Sequence, residues 1–195
     1  MSRWGFVVCC WVGLLVGLSA VVSETPASAE ALPGSIRFVG KNRIATAKGI
    51  FHRWRVVEQS IDPARIASAQ IVIEVDLGSV DTGNRQRDDH LRTADFFDVA
   101  RWPTARVVVD RFEAAASTDE GRPAWTARFA IDLHGVQRVL SGTVTRVAVA
   151  PVVFEGELLL DRTEFGIGAP PSRWNPMSID AGVPVRFRYV MEEKP

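Results

Sequence analysis

Alternation of apolar and polar side chains with a period of two residues is the feature that most constrains the fold of this chain. In residues 69–79, Ile71, Ile73 and Val75 alternate with Val72, Glu74 and Asp76. Because successive side chains of a strand point to opposite faces, this pattern predicts a β-strand with one buried face. The predicted strands are residues 36–39, 45–54, 69–79, 106–110, 128–133, 139–150, 154–161 and 185–189.

Eight short strands separated by breaks rich in glycine, proline and polar residues favour a closed up-and-down barrel or a sandwich. The interior of an eight-stranded barrel is just wide enough for its own side chains or for one small ligand. Residues 85–97 lack the alternation and carry Leu91, Ala94 and Phe97 three apart, with Asn84 before them. This spacing predicts a short amphipathic helix capped by Asn84, so the expected fold is all-β with one short helix.

The first thirty residues differ in composition from the rest of the chain. Arg3 precedes a charge-free stretch from Gly5 to Leu18, and Ala27-Ser28-Ala29 forms a small-residue cleavage site. This arrangement predicts a secretory signal peptide at residues 1–29 and a mature domain at residues 30–195. The alternative is a retained membrane anchor, since residues 4–23 are just long enough to cross a bilayer. We expect cleavage, because the small residues stand where a signal peptide has them, and hence a periplasmic or secreted protein.

Charge and cysteine content exclude several classes of function. The 23 basic and 23 acidic residues cancel, which argues against broad nucleic-acid binding and against adhesion to an anionic membrane surface. Both cysteines lie within residues 1–29, so the mature domain has no thiolate nucleophile or metal ligand. His52, His90 and His134 share no metal-binding spacing, and no serine stands in a Gly-x-Ser-x-Gly context. We therefore expect no metal, no catalytic residue and no enzyme activity.

Several motifs resemble those of the YceI-like family. They are Ser79-Val80-Asp81-Thr82-Gly83-Asn84, residues 87–92, residues 95–99, Trp102-Pro103, residues 132–136 and residues 162–168. The resemblance covers nearly all of the mature chain, from about residue 35 to residue 189. Two departures are Gln137, where the family often has threonine, and the insertion at residues 170–177. Both lie at the expected open rim, so they leave the identity of a ligand unassigned.

The resemblance implies an eight-stranded antiparallel, extended lipocalin-like barrel with a helix over one end. It also implies a hydrophobic tunnel that holds a long isoprenoid chain, a quinone-like lipid or a fatty-acyl chain, with no other cofactor. The expected function is that of an exported lipid-binding protein used in storage, transport or stress protection. The expected partner is the lipid, and this function leaves room for a transient contact with a membrane or membrane protein and for a homodimer.

The predicted tunnel lining combines the inward phase of the strands with apolar residues that would close the helix end. It consists of Phe38, Ile73, Val75, Leu91, Phe96, Phe97, Trp102, Val107, Val109, Phe129, Ile131, Leu133, Phe154, Leu158, Leu160, Phe165, Val185, Phe187 and Tyr189. Alternation alone favours an ordinary packed core for the strand residues, whereas the family resemblance favours a tunnel.

Arg162, His90 and His134 are the predicted rim or headgroup residues. A guanidinium at the rim can hold an anionic or polar headgroup through paired hydrogen bonds. The alternative for Arg162 is a salt bridge with an aspartate of the same rim. Candidates are Asp81, Asp88 and Asp98.

Two other functions stay open at this point. The first is an enzyme that acts on a lipid headgroup through rim carboxylates and His90 or His134. The second is a ligand-free scaffold that docks a membrane redox partner. For the acidic and histidine residues, a structural network that fixes the helix to the barrel is favoured over catalysis or metal binding.

Overall fold

A computed structural model describes residues 34–191, which form one curled antiparallel sheet and one short helix. The strands are β1 (Gly34–Lys41), β2 (Thr46–Phe51), β3 (Trp54–Ser60), β4 (Gln70–Asp76), β5 (Val80–Asp81), β6 (Thr104–Ala115), β7 (Ala124–Leu133), β8 (Val136–Val149), β9 (Val152–Asp161) and β10 (Gly182–Val190). The helix α1 is Arg85–Leu91. The predicted signal peptide lies outside the described residues. Within residues 34–191, no helix is long and apolar enough to cross a bilayer.

The strands are hydrogen-bonded in the order β3-β4-β6-β7-β8-β9-β10-β1-β2-β5. Only two residues separate β2 from β3, and the 3₁₀ turn Leu77–Ser79 separates β4 from β5. These two bends lie side by side, because His52 N donates to Ser79 O at 3.2 Å and Asp76 N donates to Arg53 O at 2.9 Å. The two strands at the ends of this order are β3 and β5. Each follows directly after a strand that is paired inside the sheet, β2 before β3 and β4 before β5.

The sheet has ten strands, so the predicted count of eight is wrong. One extra strand is β3, which alternation did not reveal because the exposed Val57 follows Val56 in the sequence. The other is β5, which is separated from β4 where Asp76 accepts a hydrogen bond from Gly78 N at 2.8 Å and turns the chain. The expected class, mostly β with one short helix, is confirmed.

Helix α1 is shorter than the predicted span of residues 85–97. It begins as expected, since the Asn84 side chain accepts from Arg87 N at 3.0 Å. It ends at Leu91, where Thr93 donates through both its N (3.1 Å) and its Oγ1 (2.8 Å) to His90 O. A threonine side chain that bonds a nearby carbonyl competes with the helical pattern, and the chain continues as turns.

Four connections meet at one end of the sheet. Asp180 N donates to Lys41 O at 2.8 Å, and the ring of Trp102 lies 6.4 Å from that of His134. We call this end the helix end; its segments are residues 41–46, 82–103, 133–136 and 162–181. The other end, called the opposite end, consists of residues 61–69, 116–123 and 150–151.

Candidate binding cavity

A cavity of about 650 Å³ lies inside the curled sheet and reaches the helix end. This volume falls within the range of small-molecule binding sites, which is roughly 300–1,000 Å³. All of the predicted lining residues surround it except Trp102 and Phe165. Contact between the predicted lining residues and a ligand stays a prediction.

Partly accessible side chains in the middle of the sheet indicate a hollow interior. Ile73, Val107, Val185 and Phe187 line the cavity, yet each is only half-buried. Side chains of a close-packed core interdigitate and leave few voids larger than a water molecule. The interior is therefore hollow, and the packed core that alternation alone favours is not what forms.

Aromatic rings on the cavity wall pack over glycines of the neighbouring strands. Phe38 is paired with Gly49, and Phe187 with Gly156. A Cβ atom at Gly49 would lie 2.2 Å from the Phe38 ring, and one at Gly156 would lie 2.3 Å from the Phe187 ring. Each ring thus occupies the space that a neighbouring side chain would take.

The cavity opens at the helix end. The exposed members of its lining all belong to that end: Lys41, Ala45, Arg87, His90 and Met177. At the opposite end the lining consists of buried or half-buried apolar residues, including Ile61, Ile66 and Ala69. The cationic members of the lining, Lys41, Arg87 and Arg162, thus lie at the helix end.

Three predicted site residues lie outside the lining: Trp102, Phe165 and His134. The Trp102 ring packs against Gly135, where a Cβ atom would lie 2.5 Å from it. Phe165 is fully buried, and its carbonyl oxygen lies 3.0 Å from His134 Nδ1. Trp102 thus packs the connection before β6 onto the β7–β8 turn, and His134 joins that turn to the loop after β9.

Arg162 lines the cavity but serves the loop between β9 and β10. It is only 5% exposed, and its guanidinium donates to four backbone carbonyls. These are Asp180 O at 3.0 Å, Ile167 O at 2.6 Å, Ala169 O at 2.8 Å and Ile179 O at 2.6 Å. Burial lowers the pKa of this guanidinium. These bonds to the backbone take the place of the aspartate salt bridge that the sequence suggested.

The histidines and acidic residues form separate pairs. His90 Nε2 lies 3.6 Å from Asp95 Oδ2, and His52 Nε2 lies 2.8 Å from Asp81 Oδ2. The hydrogen bond from His52 lowers the pKa of Asp81. Within residues 34–191, no three histidine, cysteine, aspartate or glutamate side chains converge as a metal site would require.

Partly buried polar contacts hold α1 against β5, as the structural-network interpretation expects, although with different partners. Asp88 accepts from Thr82 N at 2.9 Å and from Thr82 Oγ1 at 2.5 Å. Arg92 donates to Gly78 O at 2.9 Å and to Val80 O at 2.7 Å. The helix is thereby fixed at one side of the cavity mouth.

Two groups stand out among the lining residues that sequence reasoning missed. The first is the polar set at the mouth, formed by Lys41, Asn42, Thr82 and Arg87. The second is the apolar residues of the β3–β4 connection, including Ile61 and Ile66, which have no alternation to mark them. An isoleucine on each side of the Asp62-Pro63 break was the signal that could have revealed the second group.

Comparison with known proteins places these features in a family. A family model described as YceI-like domain matches residues 30–191. A UPF0312 protein of Vibrio cholerae serotype O1 is 33% identical over 134 residues, covering 63% of this chain and 66% of the relative. A UPF0312 protein of Pseudomonas savastanoi pv. phaseolicola is 30% identical over 128 residues, covering 62% and 64% respectively. The matched region thus spans just under two thirds of these relatives.

Solved structures with the same fold are more distant in sequence. BcnA of Burkholderia cenocepacia superposes with a TM-score of 0.70 at 21% identity, covering 82% of this chain and 96% of BcnA. A polyisoprenoid binding domain of Saccharophagus degradans, implicated in plant cell wall breakdown, has a TM-score of 0.56 at 19% identity, covering 84% and 97%. At these identities the likeness establishes the fold alone.

Proposed function

Because the chain belongs to the YceI-like domain family, we propose that it is an exported binding protein that holds the hydrocarbon chain of a lipid in its cavity. The ligand would be an isoprenoid, quinone-like or fatty-acyl lipid, kept for storage, transport or stress protection. In this proposal the curled sheet acts as a closed lipocalin-like barrel around the hydrocarbon chain of the lipid. The polyisoprenoid binding domain of the same fold supports the choice of ligand class.

The observation that carries the proposal is the hollow, apolar interior, in which side chains such as Val107 and Val185 remain partly accessible. Each buried CH₂ group contributes about 0.8 kcal/mol, so ten contribute about 8 kcal/mol before costs. Loss of translational and rotational freedom offsets roughly 4–15 kcal/mol of such a gain. A long chain is therefore needed for tight binding, and a deep cavity that is closed at one end selects for length.

We propose binding without covalent chemistry. His90 is an exposed residue at the mouth, whereas His134 lies outside the lining, so the two do not form an acid–base pair around a common substrate position. Alanine substitution of both histidines should therefore leave lipid binding intact. Turnover of a lipid headgroup that disappears in this double variant would instead support an enzyme.

Export through a cleaved signal peptide is part of the proposal. The mature protein should begin near residue 30 when it is isolated from its own host. Its mass and N-terminal sequence test this directly, and an intact N-terminus in a membrane fraction would contradict it.

The decisive experiment is extraction and mass analysis of lipid that co-purifies with the protein from its own host. We expect one hydrocarbon-chain lipid in near-stoichiometric amount. A protein that is consistently empty by native mass spectrometry would contradict the proposal and favour the ligand-free scaffold.

A matched pair of variants on β6 locates the binding site. Val107→Trp places a large ring inside the cavity, whereas Val108→Trp places it on the outer face of the same strand. We expect Val107→Trp to lose the lipid while Val108→Trp retains it. Circular dichroism and thermal melting of both variants establish that each remains folded.

A further inference from the structure

Three large apolar side chains are exposed together at the helix end. Trp174 is 85% exposed, Ile44 67% and Met177 61%. Their loops are joined by hydrogen bonds, since Asn42 Nδ2 donates to Met177 O at 3.3 Å and Arg43 Nη1 donates to Arg173 O at 3.0 Å. Single exposed apolar residues are common on protein surfaces, but a group of them marks an interaction surface.

Internal hydrogen bonds give both loops a defined shape. Asn42 Oδ1 accepts from Ile44 N at 2.9 Å and from Ala45 N at 2.7 Å. In the other loop, Met177 N donates to Asn175 Oδ1 at 3.0 Å, and Ser172 N donates to Ser178 Oγ at 2.8 Å. The loops are therefore built to present their apolar side chains outward.

The same two segments are positively charged. Residues 40–48 and 169–179 contain Lys41, Arg43, Lys48 and Arg173 and no aspartate or glutamate, and the exposed Asp180 follows directly after them. The Arg173 guanidinium lies over the Trp174 ring, 5.2 Å from its centroid. Although the net charge of the chain is zero, these two segments combine cations with exposed apolar groups, which is the composition of surfaces that enter a lipid interface.

We propose that Ile44, Trp174 and Met177, with the cations around them, form a surface that docks on an anionic lipid bilayer. The apolar side chains would enter the headgroup region, and the cations would lie among anionic headgroups. Met177 and Lys41 also line the cavity mouth, so docking would turn that mouth toward the membrane. This surface gives the proposed lipid carrier a place to load or release its ligand, and that use of it rests on the proposed function.

The test is co-sedimentation of the full mature protein with vesicles. One set contains phosphatidylcholine alone, and the other an equal mixture of phosphatidylcholine and phosphatidylglycerol. We expect binding to the anionic set that weakens as salt is added. Trp174→Ser combined with Ile44→Ser should weaken it about tenfold or more, and Arg173→Gln about fivefold.

Val149→Ser is the matched control, because Val149 is 70% exposed but precedes the β8–β9 turn at the opposite end. It should leave vesicle binding unchanged. No binding to anionic vesicles, equal binding to neutral ones, or an equal loss in Val149→Ser would each overturn the inference. The inference would also be overturned if the protein does not bind vesicles but forms a dimer that Trp174→Ser abolishes.

The outcome is separable from that of the proposed function. Val107→Trp, which fills the cavity, should still bind anionic vesicles. A protein that carries lipid but ignores vesicles overturns only the docking surface, and one that binds vesicles but never carries lipid overturns only the proposed function.

Discussion

The two ends of the curled sheet are built from different interactions. At the helix end, long loops are held by charged side chains that bond to backbone carbonyls, chiefly Arg162 and Arg92. At the opposite end, the lining is closed by apolar packing, in which Ile66 is only 5% exposed and the rings of Trp125 and Phe154 lie 6.3 Å apart.

This difference fits a container that opens at one end. Backbone hydrogen bonds from a buried guanidinium can order a loop without filling the space beside it, so the helix end keeps both its shape and its mouth. The lining of the opposite end has no exposed residue, as expected where apolar packing excludes water. The following predictions test whether the two ends depend on these different interactions.

The largest effect should come from Arg162→Met at the helix end. This change leaves the four carbonyls of the β9–β10 loop without their buried donor, and each unsatisfied group is costly. We expect the free energy of unfolding to fall by about 3–5 kcal/mol in chemical denaturation. Arg173→Met, at an exposed position of the same loop, should change it by less than about 0.5 kcal/mol. Equal effects of the two substitutions would mean that the guanidinium bonds do not hold this end.

The next effect compares apolar residues at the two ends. Ile66→Ala removes a buried side chain and should lower the unfolding free energy by about 2–4 kcal/mol. Leu91→Ala, at the half-buried edge of the mouth, should cost about 1–2 kcal/mol. The reverse order, measured by thermal or chemical denaturation, would show that packing matters more at the helix end.

A smaller effect concerns how α1 is held. Asp88→Ala leaves Thr82 N without its acceptor and should cost about 1–3 kcal/mol. It should also speed amide hydrogen exchange in residues 85–92, while exchange at the opposite end stays unchanged. The neighbouring Asp89 is exposed and pairs only with arginines, so Asp89→Ala should cost less than about 0.5 kcal/mol. Equal exchange rates in the two variants would show that Asp88 does not hold the helix in place.

The sequence predicts the inward faces of the strands well, because a period of two fixes the direction of each side chain. Phe129, Ile131 and Leu133 surround the cavity as their alternation requires. Outside the strands no period fixes direction, and there the predictions differ from the structure. His134, with a φ of 55°, lies in a turn that points its ring toward Phe165 and away from the lining.

Long-range contacts are the other part that the sequence does not encode locally. The role of Arg162 depends on the fold of the loop that follows it, and no neighbour in the sequence indicates that its partners are backbone carbonyls. Likewise, a hollow and a filled interior have the same alternation. Only the size of the enclosed space separates them, and that size follows from all ten strands together.

The smallest effect is a pH and salt dependence that differs between the ends. Asp110 lies on the half of β6 that leads to the opposite end, and two hydrogen bonds from Arg128, at 2.7 and 2.6 Å, lower its pKa below the ordinary 3.8. Its stabilisation is therefore present above that pH and is lost as the pH falls through the lower folded-state pKa. Asp110→Asn should cost about 1 kcal/mol or less at neutral pH, and the difference should shrink in acid and in high salt. At the helix end, the pKa of Asp161 is lowered chiefly by hydrogen bonds from Thr163, an uncharged partner, and least by the charge of Arg162, so added salt should change the effect of Asp161→Asn less. Denaturation curves of the two variants at low and high salt test this. An equal salt dependence would show that charge contributes equally to the stabilisation by Asp110 and by Asp161.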